Sequence, residues 1–474
     1  MGKTTKIAKT RKMRFRLELF DETGLEAHTI RSLKLVIFAV AFGTISFNIN
    51  GGVSMTGYLK ALGADDFTFG LLCAIGPLAA PVQLLASYIL ERTRKRRGLF
   101  LVCGTIQRMS WLPFGLVPFF VGLGQPVLRI WMASLFLMVS GTLTPFVNVT
   151  FFSLAADIVP MNIRGSYFAV RSRITTMFAV AGGMLTAWFL DSFSGFFSYA
   201  FVFALSAVMG TLDILCFLWV KFPPMAKPDT NKGEKFSAMA KDVLKNKKYM
   251  RFVTFMTLWF FSCNLSTPFY FVYLKNQLLF TNTLITTLMQ ILPNVCSILI
   301  VKRWGRAIDV HGNKSIMQLT NGILCIAPFL WIFTASGKMA AVPVVFIMLL
   351  QGFLLSGFEI GANNVMLGAA PRANRSMYIA FYFMLTQSVG VGLGNAAGGW
   401  LLDNVFSRLE HLDIAIFGAR MTKYNYMFAT TAILRFATVY FALPRLIYEE
   451  GNTPVKKLLR QIGESVKNLT KKNK

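Results

Sequence analysis

The sequence predicts an all-α polytopic membrane protein with twelve transmembrane helices in two six-helix halves. Of its 474 residues, 54% are hydrophobic and only 15% are charged, whereas soluble domains average about 25% charged residues. Twelve apolar stretches are long enough to cross a bilayer, which takes about 20 residues per helix. Three local patterns also recur between the two halves of the chain. Together these observations exclude a large soluble enzyme.

The apolar stretches divide the chain evenly. They lie at 33–60, 67–90, 98–122, 130–158, 167–190, 196–220, 252–274, 279–301, 315–336, 339–368, 376–402 and 425–446. We number them helices 1 to 12. The expected organisation is a basic tail (1–32), a first bundle (33–220), a linker (221–251), a second bundle (252–446) and a second basic tail (447–474). The linker predicts an amphipathic helix on the membrane surface, with Phe236, Met239, Val243 and Leu244 on one side.

Three matches between the halves indicate an internal duplication. The triplet beginning at Tyr58 recurs at Tyr273, an offset of 215, and Pro77 in helix 2 matches Pro293 in helix 8, an offset of 216. The loop PMNIRGSY after helix 4 resembles PRANRSMY after helix 10 at an offset of 211. The matches occur at corresponding depths, which predicts a six-helix unit copied in parallel.

The basic charge is explained by membrane orientation. The chain has 49 Lys and Arg against 21 Asp and Glu, a net charge of +28. Such a balance can indicate nucleic-acid binding, but 40 of the 49 basic residues fall in tails and loops on one side of the predicted bundle. The positive-inside rule then predicts cytoplasmic termini in a multi-pass protein of the cytoplasmic membrane. We therefore expect the basic loops and tails to interact with the lipid bilayer and not with nucleic acid.

The turn after helix 8 carries a family resemblance. In WGRAIDVHGNK, Gly305, Asp309, Gly312 and Lys314 resemble the Gly-x-x-x-Asp-x-x-Gly-x-Arg/Lys signature of the major facilitator superfamily, here in a bacterial member. The loop after helix 2 departs from it, with Ser87, Glu91 and Arg94 at the Gly, Asp and Gly positions. The resemblance implies gating roles for Glu91, Arg92, Gly305, Asp309, Gly312 and Lys314. The alternative is that these residues only fix topology.

The same resemblance implies a central cavity. Helices 1, 4, 7 and 10 would line it, helices 2, 5, 8 and 11 would complete it, and helices 3, 6, 9 and 12 would support them. Candidate solute-binding amides on the lining helices are Asn48, Asn50, Asn148, Asn264, Gln290, Asn294, Gln387 and Asn395. Amides both donate and accept hydrogen bonds, so they suit a neutral polar solute, with a sugar-like one favoured. Trp259, Phe269, Tyr270 and Tyr273 would offer stacking faces. The alternative role of each amide is interhelical bonding.

Glu359 in helix 10 is the candidate proton carrier. It lies 12 residues before Pro371, which places it roughly 18 Å from that end, near the middle of a core of about 30 Å. Asn148 holds the equivalent position in helix 4 at an offset of 211. Because a charge is costly there, Glu359 could bind and release a proton as solvent access alternates. Alternatively it is a structural acid paired with a neighbouring base. Three other charges lie in supporting helices, Arg108, Asp213 and Arg435, and they could pair with one another or with Glu359.

The sequence therefore predicts a secondary transporter rather than an enzyme. It has no nucleotide-binding loop, nucleophile elbow or metal-ligand motif, and its three histidines lie outside the spans, so no cofactor or metal is expected. The expected partners are a small-molecule solute and protons, and a monomer is favoured. Helix 5 contains AVAGGML without the proline of the superfamily's exporters, which favours uptake. The alternatives are a drug or metabolite exporter of the same superfamily, a membrane-embedded enzyme and a transporter-like receptor.

Overall fold

The protein is a bundle of long helices. The computed structural model describes residues 27–122, 124–159, 164–223, 236–334, 341–371, 375–412, 415–416 and 419–444. The only strands in these ranges, Ala415–Ile416 and Ala419–Arg420, pair antiparallel before helix 12. Nearly all of the two predicted basic tails lies outside the described residues.

The first half contains the six predicted helices. Helix 1 comprises Ala27–Ile49 and Gly52–Ala61, helix 2 Asp66–Leu78 and Val82–Thr93, helix 3 Arg96–Met109 and Trp111–Phe120, helix 4 Pro126–Ile158, helix 5 Arg164–Ser192, and helix 6 Phe196–Cys216 with the 3-10 turn Phe217–Trp219. Helix 1 is interrupted at Gly52, whose φ of +55° is a conformation that glycine adopts without strain.

The second half repeats the arrangement after a short linker helix, Phe236–Lys245. Helix 7 comprises Lys247–Asn264 and Thr267–Asn276, and helix 8 comprises Asn282–Thr286, a π-helical Thr287–Ile291 and Leu292–His311. Helix 9 comprises Asn313–Leu324, Ile326–Leu330 and Trp331–Phe333, and helix 10 is Ala341–Ala369. Helix 11 comprises Arg375–Leu385, Thr386–Leu393, Gly394–Leu401, Leu402–Phe406 and Ser407–Glu410, and helix 12 comprises Lys423–Ala437 and Thr438–Ala442. The linker helix packs on helix 11, where Tyr378 Oη donates to Asp242 Oδ2 at 3.1 Å. Val243 is buried there and Leu244 is exposed.

Nine helices within the described residues are long and apolar enough to cross a membrane: helices 1, 2, 4, 5, 6, 8, 9, 10 and 11. The other three predicted spans also form helices, and two of them carry interior charges, Arg108 in helix 3 and Arg435 in helix 12. A helix satisfies its own backbone hydrogen bonds, which is why this architecture is stable in lipid. The expected all-α polytopic fold is confirmed.

The two ends of the bundle differ in how the halves meet. We call the end where helix 2 begins the Asp66 end and the end where it stops the Glu91 end. Contacts between the halves join helix 2 to helix 11, helix 5 to helix 8 and helix 1 to helix 7, mainly toward the Asp66 end. One buried cluster there contains residues of both halves, including Phe69 and Phe269. Toward the Glu91 end, the main buried clusters each belong to a single half.

Candidate functional site

A central cavity of about 600 Å³ lies between the halves. Helices 1, 2, 3, 4, 7, 8 and 11 contribute to it, and this volume is typical of small-molecule sites. Six of the eight predicted amides line it: Asn48, Asn50, Asn148, Asn264, Gln290 and Asn395. The structure thus brings together side chains from helices 1, 4, 7, 8 and 11 around one space.

Three of these amides are oriented by hydrogen bonds to backbone carbonyl oxygens. The Nδ2 of Asn48 donates to Thr44 O at 2.9 Å, and the Nδ2 of Asn264 donates to Phe260 O at 2.8 Å. The Nδ2 of Asn395 donates across the halves to Cys73 O at 3.2 Å, while its buried Oδ1 has no partner among the described residues. Because only one N–H of each amide is engaged, each of these asparagines retains a second N–H donor and its Oδ1 acceptor, which match the hydroxyl and N–H groups of a solute.

The other amides link the cavity to its surroundings. Asn50 Oδ1 accepts from Ser206 Oγ of helix 6 at 2.6 Å. Gln290, in the π-helical segment of helix 8, reaches the first half: a Cβ at Gly52 would lie 2.8 Å from its Nε2, and one at Gly183 would lie 3.1 Å from its Oε1. Glycine at both positions leaves room for this side chain between the halves.

One ion pair adjoins the cavity. Arg108 of helix 3 lines it and donates through Nη2 to Asp213 Oδ2 of helix 6 at 3.0 Å. Glycines make space for both partners: a Cβ at Gly43 would lie 2.5 Å from Asp213 Oδ2, and one at Gly210 would lie 2.5 Å from Arg108 Cδ. Among the described residues that line the cavity, only Arg108 is charged, and Asp213 compensates its charge. The cavity is thus polar but close to neutral.

The aromatic lining differs from the sequence prediction. Phe47, Phe69, Trp111 and Phe271 line the cavity. Trp259, Phe269, Tyr270 and Tyr273, which the sequence analysis selected, are outside the lining and buried in packing. Tyr270 stacks on Phe428, and Tyr273 Oη donates to Thr334 O at 2.8 Å. The prediction was wrong here because apolar rings are buried wherever helices meet.

Three predicted site residues lie outside the cavity lining. Asn294 is exposed, and its Nδ2 donates to Gln290 O at 2.7 Å; Gln387 is half-buried. Glu359 is exposed on helix 10 and has no ion-pair partner among the described residues. Its repeat partner Asn148 does line the cavity. Arg435, one of its possible partners, instead lies 5.6 Å from the ring of Trp259.

At the Asp66 end, polar contacts join the two halves above the cavity. Asp66 of helix 2 is buried and binds Lys60 of helix 1 and Lys423 of helix 12, each at 2.6 Å. The Lys423 contact crosses between the halves, whereas the Lys60 contact does not. Beneath them, the rings of Phe69 and Phe269 meet edge to face with centroids 5.5 Å apart.

Two further carboxylates bond to helix ends in the opposite half. Asp403, near the end of helix 11, accepts from Phe67 N of helix 2 at 2.6 Å. Asp191, at the end of helix 5, accepts from the backbone N of Asn282 and of Thr283 in helix 8, each at 2.8 Å. An α-helix leaves its first backbone N–H groups without internal partners, so these positions favour carboxylates.

Comparison with known proteins decides the family. The family model of the Major Facilitator Superfamily matches residues 35–303, more than half of the chain. The chain belongs to the major facilitator superfamily. This confirms the resemblance seen in the sequence and identifies the protein as a secondary transporter rather than an enzyme. No curated protein matches the sequence.

Several solved structures of this superfamily share the fold. A mutant of the nucleoside transporter NupG is 14% identical, with a TM-score of 0.68 and coverage of 88% of this chain and 100% of that one. A D-xylose–proton symporter is 13% identical, with a TM-score of 0.63 and coverage of 90% and 99%. A POT family transporter in complex with a thioalcohol-conjugated peptide is 12% identical, with a TM-score of 0.62 and coverage of 88% and 97%.

The residues that resemble the superfamily signature lie at the Glu91 end. Glu91, Arg92 and Asp309 are exposed, and neither carboxylate has an ion-pair partner among the described residues. Arg92 Nη1 donates to Tyr88 Oη at 3.2 Å. Gly312 ends helix 8 with a φ of +85°, which accounts for glycine there, while Gly305 is half-buried. Lys314 Nζ donates to Pro444 O at 3.1 Å, within the second half.

Sequence reasoning missed the contribution of helix 3 to this transporter's cavity. Gln107 and Arg108 both line it, although helix 3 was expected only to support the lining helices. The available signal was the pair of charges, Arg108 and Asp213, in apolar stretches of the same half. It also missed Asp191 and Asp403, whose offset of 212 matches the repeat.

Proposed function

We propose that this superfamily member moves a small neutral polar solute, such as a sugar or a nucleoside, across the cytoplasmic membrane. The observation that carries the proposal is the amide-lined cavity, in which the one charged residue of the described lining, Arg108, is paired with Asp213. An anionic or cationic solute would leave a charge unpaired there at high cost. Transporters of nucleosides, of xylose and of peptides share this fold, so the lining of the cavity, not the fold, supports this class of solute.

Alternating access is the mechanism that we infer for this solute. The halves share a buried cluster at the Asp66 end and have separate clusters toward the Glu91 end, which supports a conformation closed at the Asp66 end. The excess of Lys and Arg in loops on the Glu91 side supports a cytoplasmic location for that end. The solute would then exchange with the cytoplasm in this conformation.

Proton coupling through Glu359 is the finer part of the proposal. Asp213 has its charge compensated by Arg108, whereas Glu359 has no ion-pair partner among the described residues. The repeat partner of Glu359, Asn148, lines the cavity, which supports an equivalent location for Glu359 during part of the cycle. An unpaired carboxyl group in a membrane bundle is a typical proton carrier.

Uptake into proteoliposomes tests the proposal. A panel of sugars, nucleosides, amino acids and organic acids is offered with and without an inward acid gradient, to wild type and to Glu359→Gln. We expect a neutral polar solute to accumulate against its gradient only when the acid gradient is present. Glu359→Gln should abolish accumulation while sparing exchange. Transport restricted to organic acids would refute the solute class, and normal accumulation by Glu359→Gln would refute the coupling role.

A matched pair of variants tests the cavity itself. Gln290→Ala removes a side chain that lines the cavity, and Asn294→Ala removes an amide one turn away that does not. We expect Gln290→Ala to raise the KM for the transported solute roughly fivefold, since one hydrogen bond contributes about 1 kcal/mol. Asn294→Ala should leave it within about twofold. Equal effects would show that the cavity is not the binding site.

A further inference from the structure

The structure assigns Asp191 and Asp403 a shared role as a latch that holds the two halves together at the Asp66 end. They are positioning residues of the transport cycle, because they act on which end of the cavity is open and not on the solute. The inference rests on the alternating access proposed above. It does not depend on the identity of the solute.

The latch is built from complementary caps. Within the first half, Asp65 Oδ1 accepts from Thr68 N of helix 2 at 2.7 Å. Within the second half, Thr281 Oγ1 accepts from Leu284 N of helix 8 at 3.2 Å. Each helix therefore caps its own third backbone N–H, and the earlier N–H groups are the ones that the opposite half binds.

The carboxylates of the opposite half complete both caps. Asp403 takes the N–H of Phe67, and Asp191 takes the N–H groups of Asn282 and Thr283. Both acids also lie at the positive end of a helix dipole, which strengthens the attraction. Since acceptor and donors belong to different halves, separating the halves at this end breaks every one of these bonds.

The two contacts are related by the internal repeat. Asp191 and Asp403 differ by 212 positions, and the own-half caps Asp65 and Thr281 differ by 216. These offsets match those of the sequence duplication. Helix 5 of the first half therefore caps helix 8, and helix 11 of the second half caps helix 2. One accidental contact would not be expected to have a counterpart on the other side of the bundle.

The surrounding surface explains why a latch is needed. Asp191 is exposed but binds two consecutive backbone N–H groups of the other half. An exposed carboxylate that served only to set the orientation of the protein in the membrane would not need such specific partners. Near the latch, Phe69, which lines the cavity, makes an apolar contact with Phe269 of the other half. Apolar contacts carry little directional preference, so the caps supply the fixed register between the halves.

Labelling of native Cys73 tests the latch without any solute. Cys73 lines the cavity, and a membrane-impermeant maleimide is applied to either face of sealed vesicles. Mass spectrometry of the Cys73 peptide separates it from the other five cysteines. We expect Asp191→Asn and Asp403→Asn each to raise the labelling rate from the Asp66 end about threefold, and the double variant about tenfold.

Matched controls remove the caps made within each half. Asp65→Ala and Thr281→Ala change the same two helix ends but leave the contacts between halves in place, so labelling should stay within about twofold of wild type. Asp403→Glu keeps the charge and should label closer to wild type than Asp403→Asn does. If the double variant folds poorly, the comparison of Asp403→Glu with Asp403→Asn still tests the latch.

Two results would overturn the latch: wild-type labelling in the double variant, or equal increases in the Asp65→Ala and Thr281→Ala controls. The outcome is separate from that of the solute assay. Increased labelling in a protein that moves no solute of the panel supports the latch and rejects the solute class. Unchanged labelling in a protein that accumulates a sugar does the reverse.

Discussion

The Asp66 and Glu91 ends use charge in opposite ways. At the Asp66 end, Asp191, Asp403 and Lys423 all bond to the opposite half. At the Glu91 end, the described charged contacts stay within a half, as when Arg96 Nη1 binds Asp157 Oδ2 at 2.6 Å. Similar residue types thus stabilise one conformation of the molecule at one end and the fold of each half at the other. The difference predicts which substitutions change the free energy of unfolding and which change access to the cavity from the Asp66 end.

The largest expected effect comes from an ion pair inside one half. Arg108→Gln leaves Asp213 without its buried partner, which should lower the free energy of unfolding by about 3–5 kcal/mol. Access to the cavity from the Asp66 end should not change. Chemical unfolding in detergent measures the first quantity, and Cys73 labelling measures the second.

The double variant Arg108→Gln with Asp213→Asn provides the control, since it removes both charges together. It should recover most of the lost stability. If it remains as unstable as Arg108→Gln alone, Arg108 does not stabilise the protein through its ion pair with Asp213. The argument that the cavity is close to neutral would then fail.

A methyl group placed between the halves should have the next largest effect. A Cβ at Gly399 of helix 11 would lie 2.9 Å from Phe67 Cα and closer still to Asp66 O, both backbone atoms of helix 2. Gly399→Ala should therefore destabilise closure at the Asp66 end by about 1–3 kcal/mol and increase Cys73 labelling from that end. A Cβ at Gly322 of helix 9 would meet nothing within 4 Å.

Gly322→Ala is thus the matched control, and it should be neutral or stabilise the helix by up to about 1 kcal/mol. Labelling that rises equally in both variants would show that helix 11 and helix 2 do not form a seal.

The two lysines on Asp66 allow a sharper comparison. Both lie 2.6 Å from its carboxylate, but only Lys423 belongs to the other half. Lys423→Gln should destabilise closure at the Asp66 end by only about 1 kcal/mol, because the Lys423–Asp66 ion pair is partly exposed. Lys60→Gln should not shift access, and high salt should weaken the difference between them. Equal shifts in Cys73 labelling would argue against a specific contact between the halves.

The smallest expected effect is at the Glu91 end. Glu91→Gln and Asp309→Asn remove exposed charges that have no ion-pair partner among the described residues, so the free energy of unfolding should change by less than about 0.5 kcal/mol. A gating role would appear instead as a slower transport rate. A large loss of stability would mean that both carboxylates make structural contacts in this conformation.

The sequence predicted the fold because apolar length and internal repetition are local signals. It also selected six amides of the cavity, since polar groups on membrane helices tend to face an interior. It could not orient helix 3, because the direction of Arg108 depends on packing against Asp213 and Gly210. Nor did it pair Asp191 with helix 8, because that contact joins positions 91 residues apart.

The described π-helical segments all lie in the second half, in helices 8, 11 and 12. A π turn holds one residue more than an α turn. Loss of one residue inside such a segment would restore an α-helix and keep every later side chain on its original face. The same loss elsewhere would rotate the rest of the helix by about 100°. In evolution, single-residue deletions in helix 8 that leave Gln290 in place are therefore expected to be tolerated better at 287–291 than in the α-helical turns beside it.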